Sequence, residues 1–328
     1  MNITIIGGGS WATALVKILS EKNNKIKWWL RDEQAIEHIK KHHHNPQYLS
    51  SIFLHPSKIK PYHNIKEALK NTDWVILAVP AAFIENVFKD LPLSIFEKKK
   101  FVSGIKGMIP SSNQLVTEWL HNTLKVSNNN IAAIAGPCHA EEIALEKQSY
   151  LTIASENIAL AEEFANLLAC RFVKTSFIAD LQGVEYTAVM KNIVALASGI
   201  THGLGAGDNF QAVLVSNAML EIERFVDKIA PQKRCINSSA YLGDLLVTAY
   251  SQFSRNRSFG NMLGRGYSVK TAQIEMKMIA EGYYATKCIH EINTTVHVEM
   301  PILDFTYEIL YENNSLNGAF ENLKNRLV

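Results

Sequence analysis

The feature that most limits what this chain can fold into lies at its start. Ile3–Ile6 is a short, β-branched apolar run, followed at once by Gly7-Gly8-Gly9-Ser10-Trp11-Ala12 and then by a helical pattern burying Leu15, Val16, Ile18 and Leu19 in turn. Strand, glycine turn and helix in that order form the context a dinucleotide fingerprint requires. Gly7 permits the tight turn, Gly9 lets the backbone approach a pyrophosphate, and the free N–H groups opening the helix suit an anion. Ala12 stands at the third glycine, giving GxGxxA. A tight βα turn can need glycines without binding anything, so the loop alone does not decide function.

The second strand, Ile26–Leu30, ends where a ribose contact is expected, about 20 residues on. Arg31 and Asp32 stand there. Arginine suits the 2′-phosphate of NADP and an acid suits the ribose hydroxyls of NAD, so the order favours NADP or use of both. An exposed loop charge is the other reading of Arg31.

Strand and helix signals continue to alternate. Apolar strands are predicted at Trp74–Val79, Lys100–Gly104, Ile131–Ala135, Tyr150–Ala154 and near Arg171–Thr175. Helices are expected at Phe83–Phe88, Asn113–Leu124 and Ile158–Leu168. Such spacing implies a mostly parallel, doubly wound sheet with ligands beyond its carboxyl ends. Pro80, Lys106 and Gly136 fall just past those ends and are expected to rim one crevice. From about Ile178 the strand signals stop and long helical patterns take over. The expected fold is therefore α/β: an N-terminal doubly wound Rossmann-type domain over 1–179 and a C-terminal all-α domain over 180–328.

Composition excludes more than it selects. The 328 residues suit two domains, and 47% hydrophobic with 20% charged residues is ordinary for a soluble protein. A formal net charge of +2 gives no field that would recruit nucleic acid or an anionic membrane. No apolar run is long enough to span a bilayer, which argues against stable membrane insertion. Cys138, Cys170, Cys235 and Cys288 have no metal-ligand spacing and fit a reducing compartment. With no signal segment before the first strand, a cytoplasmic protein is expected. His42-His43-His44 are adjacent and cannot all face one ion, so they read as a solvated loop, and no metal is expected.

The polar chemistry lies in the second half. In Val184–Ile200, the stretch Ala188–Ala197 is apolar in every direction except at Lys191 and Asn192. Burial lowers a lysine's pKa and a nearby carboxylate raises it, so such a lysine can exchange a proton near neutral pH. Snorkelling to solvent is the alternative; Asn192 beside it favours the functional reading. In Leu242–Gly260, Asp244, Thr248, Ser251 and Arg255 keep the spacing of one helical face, with Asn256 beside the end. That stripe is either a ridge of satisfied polar groups or the lining of a site.

Taken in order, these segments resemble the bacterial NAD(P)-dependent glycerol-3-phosphate dehydrogenases from end to end. GGGSWATAL, SGIKG at Ser103–Gly107, GPCHAEE at Gly136–Glu142, Lys191-Asn192, LGDLLVT, FSRNRSFG and Ala280-Glu281-Gly282 follow the family's sequence of motifs. The resemblance implies reversible reduction of dihydroxyacetone phosphate to sn-glycerol 3-phosphate, supplying glycerol phosphate for phospholipid synthesis, with NADP or NAD as cofactor. It makes Lys191 the proton donor and acceptor. It places Lys106, Gly136, Cys138, Lys191, Asn192, Asp244, Ser254, Arg255 and Asn256 at the substrate, Arg255 and Asn256 holding phosphate. Asp244 is expected in addition to keep Lys191 oriented and charged. Gly7, Gly9, Ser10, Trp11, Arg31, Lys106, Ala140, Arg255, Ile279 and Glu281 match cofactor-contacting positions. Cys138, Ala12, Tyr241, Gln211 and Asn217 depart from the family's usual residues and bear on substrate affinity and cofactor preference more than on reaction type. Helical second domains of this kind often bury an apolar face in a dimer, so a homodimer is the partner to test for. Two alternatives stay open: a dehydrogenase of another hydroxy acid or phosphorylated polyol, and a non-catalytic dinucleotide sensor, which would leave Lys191, Asn192 and Arg255 without a task.

Overall fold

The computed structural model describes residues 1–22, 24–276, 280–312 and 314–328. Its strands are β1 (Asn2–Ile6), β2 (Lys25–Trp29), β3 (Ile59–Tyr62), β4 (Trp74–Leu77), β5 (Lys100–Ser103), β6 (Met108–Ile109), β7 (Gln114–Leu115), β8 (Ile131–Ala135), β9 (Ser149–Ala154) and β10 (Val173–Ile178). Eight of them form one sheet in the order β10-β9-β8-β5-β4-β1-β2-β3, while β6 and β7 make a separate two-stranded ribbon. Every pair in the large sheet is parallel except β8 with β9.

The sequence explains the centre of this sheet. β4 and β8 are buried along their whole length and β1 along all but its first residue, so they read as continuous apolar runs rather than alternating ones. Helices cover both faces. The helix Ser10–Glu21 buries Leu15, Val16, Ile18 and Leu19 as the periodicity requires. Strand order reverses at β1, whose neighbours are β4 and β2. That switch point lies beside the Gly7–Ser10 turn, where open α/β sheets take ligands.

Two compact units make up the chain: 1–105 with 116–181, and 106–115 with 182–328. The short β6–β7 ribbon therefore groups with the helical unit, an excursion that the linear reading did not contain. Within 113–124, the expected helix starts only at Val116 because Gln114–Leu115 pair as β7.

In the helical unit, Leu181–Gly203 and Gly207–Ile229 are the long helices. Helix Arg255–Gly264 crosses the first at backbone contact: a side chain at Gly199 would collide with Arg257 O, and one at Gly260 with Leu196 O. Glu221, buried in the Gly207–Ile229 helix, accepts from Ile302 N at 2.8 Å and Leu303 N at 3.0 Å, tying down the Pro301–Tyr307 helix. No helix among the described residues is long and apolar enough to cross a membrane.

Candidate active site

The Leu242–Gly260 stretch is not one helix. A π-helical turn, Ser239–Gly243, leads into a helix over Asp244–Tyr250; the chain then breaks, and a second helix spans Arg255–Gly264. Serines cause the break. Ser251 Oγ accepts from Phe253 N at 3.1 Å, and Ser254 caps the next helix by accepting from Arg257 N at 3.3 Å. The expected single stripe is thus divided. Asp244 and Thr248 are buried, whereas Arg255 is exposed at the start of the second helix. Thr248 donates back to Asp244 O at 2.7 Å, which gives its hydroxyl a local structural task.

Lys191 is 4% exposed in the middle of its helix, so it does not snorkel. Its ammonium bonds Asp244 Oδ1, and Lys106 Nζ reaches Asp244 Oδ2 at 3.0 Å. One buried carboxylate is thereby shared by two lysines. Burial pushes the Lys191 ammonium well below the ordinary lysine range; the Asp244 charge opposes this and the Lys106 charge adds to it. Burial alone would raise Asp244, but the charges of Lys106 and Lys191 outweigh it and hold the carboxyl below its usual range. With both lysines protonated, two ammonium groups face one carboxylate, which suits an anionic substrate.

Side-chain amides hold the surrounding segments. Asn192 Nδ2 donates to Lys106 O at 2.6 Å, Asn256 Nδ2 to Asn192 Oδ1 at 2.9 Å, and Gly282 N to Asn256 Oδ1 at 2.9 Å. Each asparagine therefore both donates and accepts in this network. Gly282 is required here by close approach: a Cβ would lie 2.6 Å from Asn192 O and 3.0 Å from Asn256 Oδ1. Lys106, Lys191, Asn192, Asp244 and Asn256 are thus brought into one connected group. Ser254, 5% exposed, and Arg255 open the ten-residue helix whose second residue is Asn256. A guanidinium, a hydroxyl and the N–H groups of a first helical turn together suit a phosphate.

Gly7 lies at φ +134°, and a side chain there would strike Ala78 O. Among the described residues, leaving out its chain neighbours, nothing lies within 4 Å of where a Gly9 Cβ would sit, so packing does not require glycine there. Ser10 and Trp11 begin the Ser10–Glu21 helix, which has no side-chain cap and no acid in its first turn. Trp11 Nε1 is buried without a hydrogen-bond partner among the described residues. An uncapped helix start beside open space fits a dinucleotide's pyrophosphate. Asp32 caps the Glu33–His42 helix, accepting from Gln34 N at 2.9 Å and Ala35 N at 3.2 Å, while Arg31 is exposed. Gly136 follows β8 and is buried, Cys138 is half-buried, and Ala140 starts a short helix. Glu281 is the first residue of the Glu281–Val296 helix. Ile279 lies outside the described residues.

Comparison with known proteins places the chain in a family. The sequence profile of the NAD-dependent glycerol-3-phosphate dehydrogenase N-terminus matches residues 2–161, and that of its C-terminus matches 180–321. The chain belongs to this family. It is 35% identical over 321 residues to a glycerol-3-phosphate dehydrogenase (NAD(P)+) of Clostridium botulinum (strain Eklund 17B / Type B), covering 98% of this chain and 96% of the relative. The enzyme of that name from Bacillus thuringiensis (strain Al Hakam) is 33% identical over 99% of this chain and 96% of its own. Among solved structures, glycerol-3-phosphate dehydrogenase from Coxiella burnetii matches with TM-score 0.91 and 29% identity over 99% of both chains. The D-mandelate dehydrogenase complex with NADH, at 16% identity, 95% of this chain, 98% of that one and TM-score 0.61, shares the fold alone.

Tyr241, Gln211 and Asn217, expected to depart from the family's usual residues, are placed inside the helical unit. Tyr241 is 2% exposed in the turn before Asp244. Gln211 bonds Ser198 and Thr201, and Asn217 bonds the backbone of Val328. Sequence reasoning missed the double use of Asp244. Lys106 and Asp244 are 138 positions apart, and no local signal connects them.

Proposed function

We propose that Lys191 is the group that gives and takes the proton in the reversible, NAD(P)H-dependent reduction of dihydroxyacetone phosphate to sn-glycerol 3-phosphate. The oxidoreductase activity is that of the family; the residue roles follow from the resemblance and the geometry together, and the orienting role of Asp244 is our own. The observation that carries it is a buried lysine bonded to a carboxylate that a second lysine also holds. The reduced nicotinamide, when bound, supplies the hydride. Lys191 protonates the developing alkoxide, and in the reverse direction its neutral amine takes the hydroxyl proton. Asp244 keeps the ammonium charged and aimed against the cost of burial, and accepts from a substrate hydroxyl. Arg255, Ser254 and Asn256 bind the phosphate, with Lys106, Asn192, Gly136 and Cys138 completing the substrate contacts. Gly7, Gly9, Ser10, Trp11, Arg31, Ala140, Ile279 and Glu281 complete the reading as cofactor contacts, with Lys106 and Arg255 in both roles.

The reading extends to the domain division at about residue 180, cytoplasmic residence and supply of glycerol phosphate for phospholipid synthesis. It includes a homodimer, supported by exposed Val213 and Leu220 two turns apart on one helix. The exposed Arg31 supports use of NADPH alongside NADH. The activity is tested by following loss of reduced-cofactor absorbance with dihydroxyacetone phosphate, using NADH and NADPH separately. Consumption with at least one is expected; none with either, on folded protein, overturns the proposal.

A further inference from the structure

All three carbonyls of the glycine turn are held by side chains. Trp28 Nε1 donates to Gly7 O at 2.6 Å, Asn45 Nδ2 to Gly8 O at 3.0 Å, and Thr13 Oγ1 to Gly9 O at 3.0 Å. The three side chains are 0%, 1% and 0% exposed. Asn45 comes from beyond the Glu33–His42 helix, and its amide is fully used. Its second N–H goes to Thr13 Oγ1 at 2.9 Å, and its oxygen accepts from Gln47 N at 3.0 Å and Tyr48 N at 3.2 Å. Because Thr13 Oγ1 receives that bond, its own proton is directed at Gly9 O. One buried amide therefore sets the polarity of the network.

A trans peptide points its N–H opposite to its C=O. Fixing the carbonyls of Gly7, Gly8 and Gly9 therefore fixes the N–H groups of Gly8, Gly9 and Ser10, turned away from the side chains that hold those carbonyls. Open space lies where a Gly9 Cβ would be. We propose that Asn45, through Gly8 and Thr13, is a positioning residue that pre-orients these N–H groups for the dinucleotide's pyrophosphate and so governs cofactor affinity without touching the cofactor. Preorganised donors bind more tightly because their ordering is settled before the ligand arrives. The proposal rests on the reading that this turn takes the pyrophosphate.

The test uses the full chain with Asn45→Asp, which keeps the acceptor but loses both donors, and with Thr13→Val. Dissociation constants are measured by fluorescence for NADPH and NADH, and by competition for ADP-ribose, which carries the pyrophosphate, and adenosine, which does not. Loss of two hydrogen bonds at about 0.5–1.5 kcal/mol each corresponds to weakening of roughly 5- to 150-fold for Asn45→Asp. A smaller loss is expected for Thr13→Val. Dinucleotide and ADP-ribose should weaken together, with adenosine affinity, the Michaelis constant for the phosphorylated ketone and kcat at saturating cofactor all within about two- to threefold of wild type. Unchanged dinucleotide affinity in both variants, or equal weakening of adenosine, overturns the proposal. Gly9→Val tests the underlying reading separately: if it leaves dinucleotide binding intact, the turn is not the pyrophosphate site. If it abolishes binding while both other variants bind normally, only the positioning role of Asn45 fails.

Discussion

Replacing Asp244 by asparagine keeps the shape of the side chain and removes the counter-charge that two lysines share. Lys191 bonds one carboxylate oxygen and Lys106 lies 3.0 Å from the other, with Asp244 itself 1% exposed. Truncating one partner of a buried ion pair costs about 3–5 kcal/mol, largely because a buried charge is left uncompensated. Lys106 is the more exposed lysine and can turn to water, so the lower end, about 3 kcal/mol, is expected. Most of that penalty falls on the Lys191 ammonium. Burial and the Lys106 charge already favour its neutral form, and in Asp244→Asn nothing opposes them. At 1.36 kcal/mol per pH unit, the ammonium should titrate about one to two units lower than in wild type. With Lys191 as the proton donor proposed above, reduction requires the ammonium, so its kcat falls as pH rises through this titration. Oxidation requires the amine, so its kcat rises through the same titration. Both limbs move to lower pH in the variant, and reduction near pH 8 should drop about 10- to 100-fold. The assay is kcat against pH in both directions at saturating cofactor and substrate. Superimposable profiles, or limbs displaced to higher pH, would refute the reasoning.

Three further outcomes are expected. In Lys191→Met, stability should lose a pH dependence that wild type has. The buried ammonium titrates below the ordinary lysine value, so between the two values the unfolded chain binds more protons and wild-type stability rises with pH; a wild-type-minus-variant difference in unfolding free energy that stays flat between about pH 7 and pH 10 contradicts this. Arg255→Ala should raise the Michaelis constant for dihydroxyacetone phosphate about 10- to 150-fold, from loss of a charged hydrogen bond of about 1.5–3 kcal/mol, with kcat within a few-fold; a defect confined to kcat would exclude a phosphate-binding role. Gly282→Ala places a Cβ 2.6 Å from Asn192 O and should cost about 1–3 kcal/mol in urea unfolding; an unchanged midpoint would show that the close approach is relieved at no cost.

Much of the fold was legible because its central strands bury both faces and carry unbroken apolar runs. Ile131–Ala135 and Ile158–Leu168 were placed to the residue. β3 was not foreseen, since an edge strand reading Ile59-Lys60-Pro61-Tyr62 lacks both alternation and an apolar run. β6 and β7, two residues each, are too short to show any period. In Leu242–Gly260, the spacing of polar residues suggested one helix, but the serines at 251 and 254 offered local hydrogen bonds that ended one helix and began another. Lys191 was visible because it interrupts an apolar surface. Its pairing with Asp244 followed from the need to compensate a buried charge, whereas the sharing with Lys106 depends on the chain path. Asp32 shows a local signal with two readings: an acid after a strand suits both ribose and an N-cap, and the cap is formed. No local signal marks Asn45, which follows three histidines in a polar segment.

Proton transfer by Lys191 is tested most directly by removing its amine. Lys191→Ala is compared with wild type for turnover of dihydroxyacetone phosphate and, on the same preparations, for binding of the reduced cofactor. The account predicts turnover lowered by at least about 100-fold with cofactor affinity retained. Turnover at the wild-type rate would contradict it.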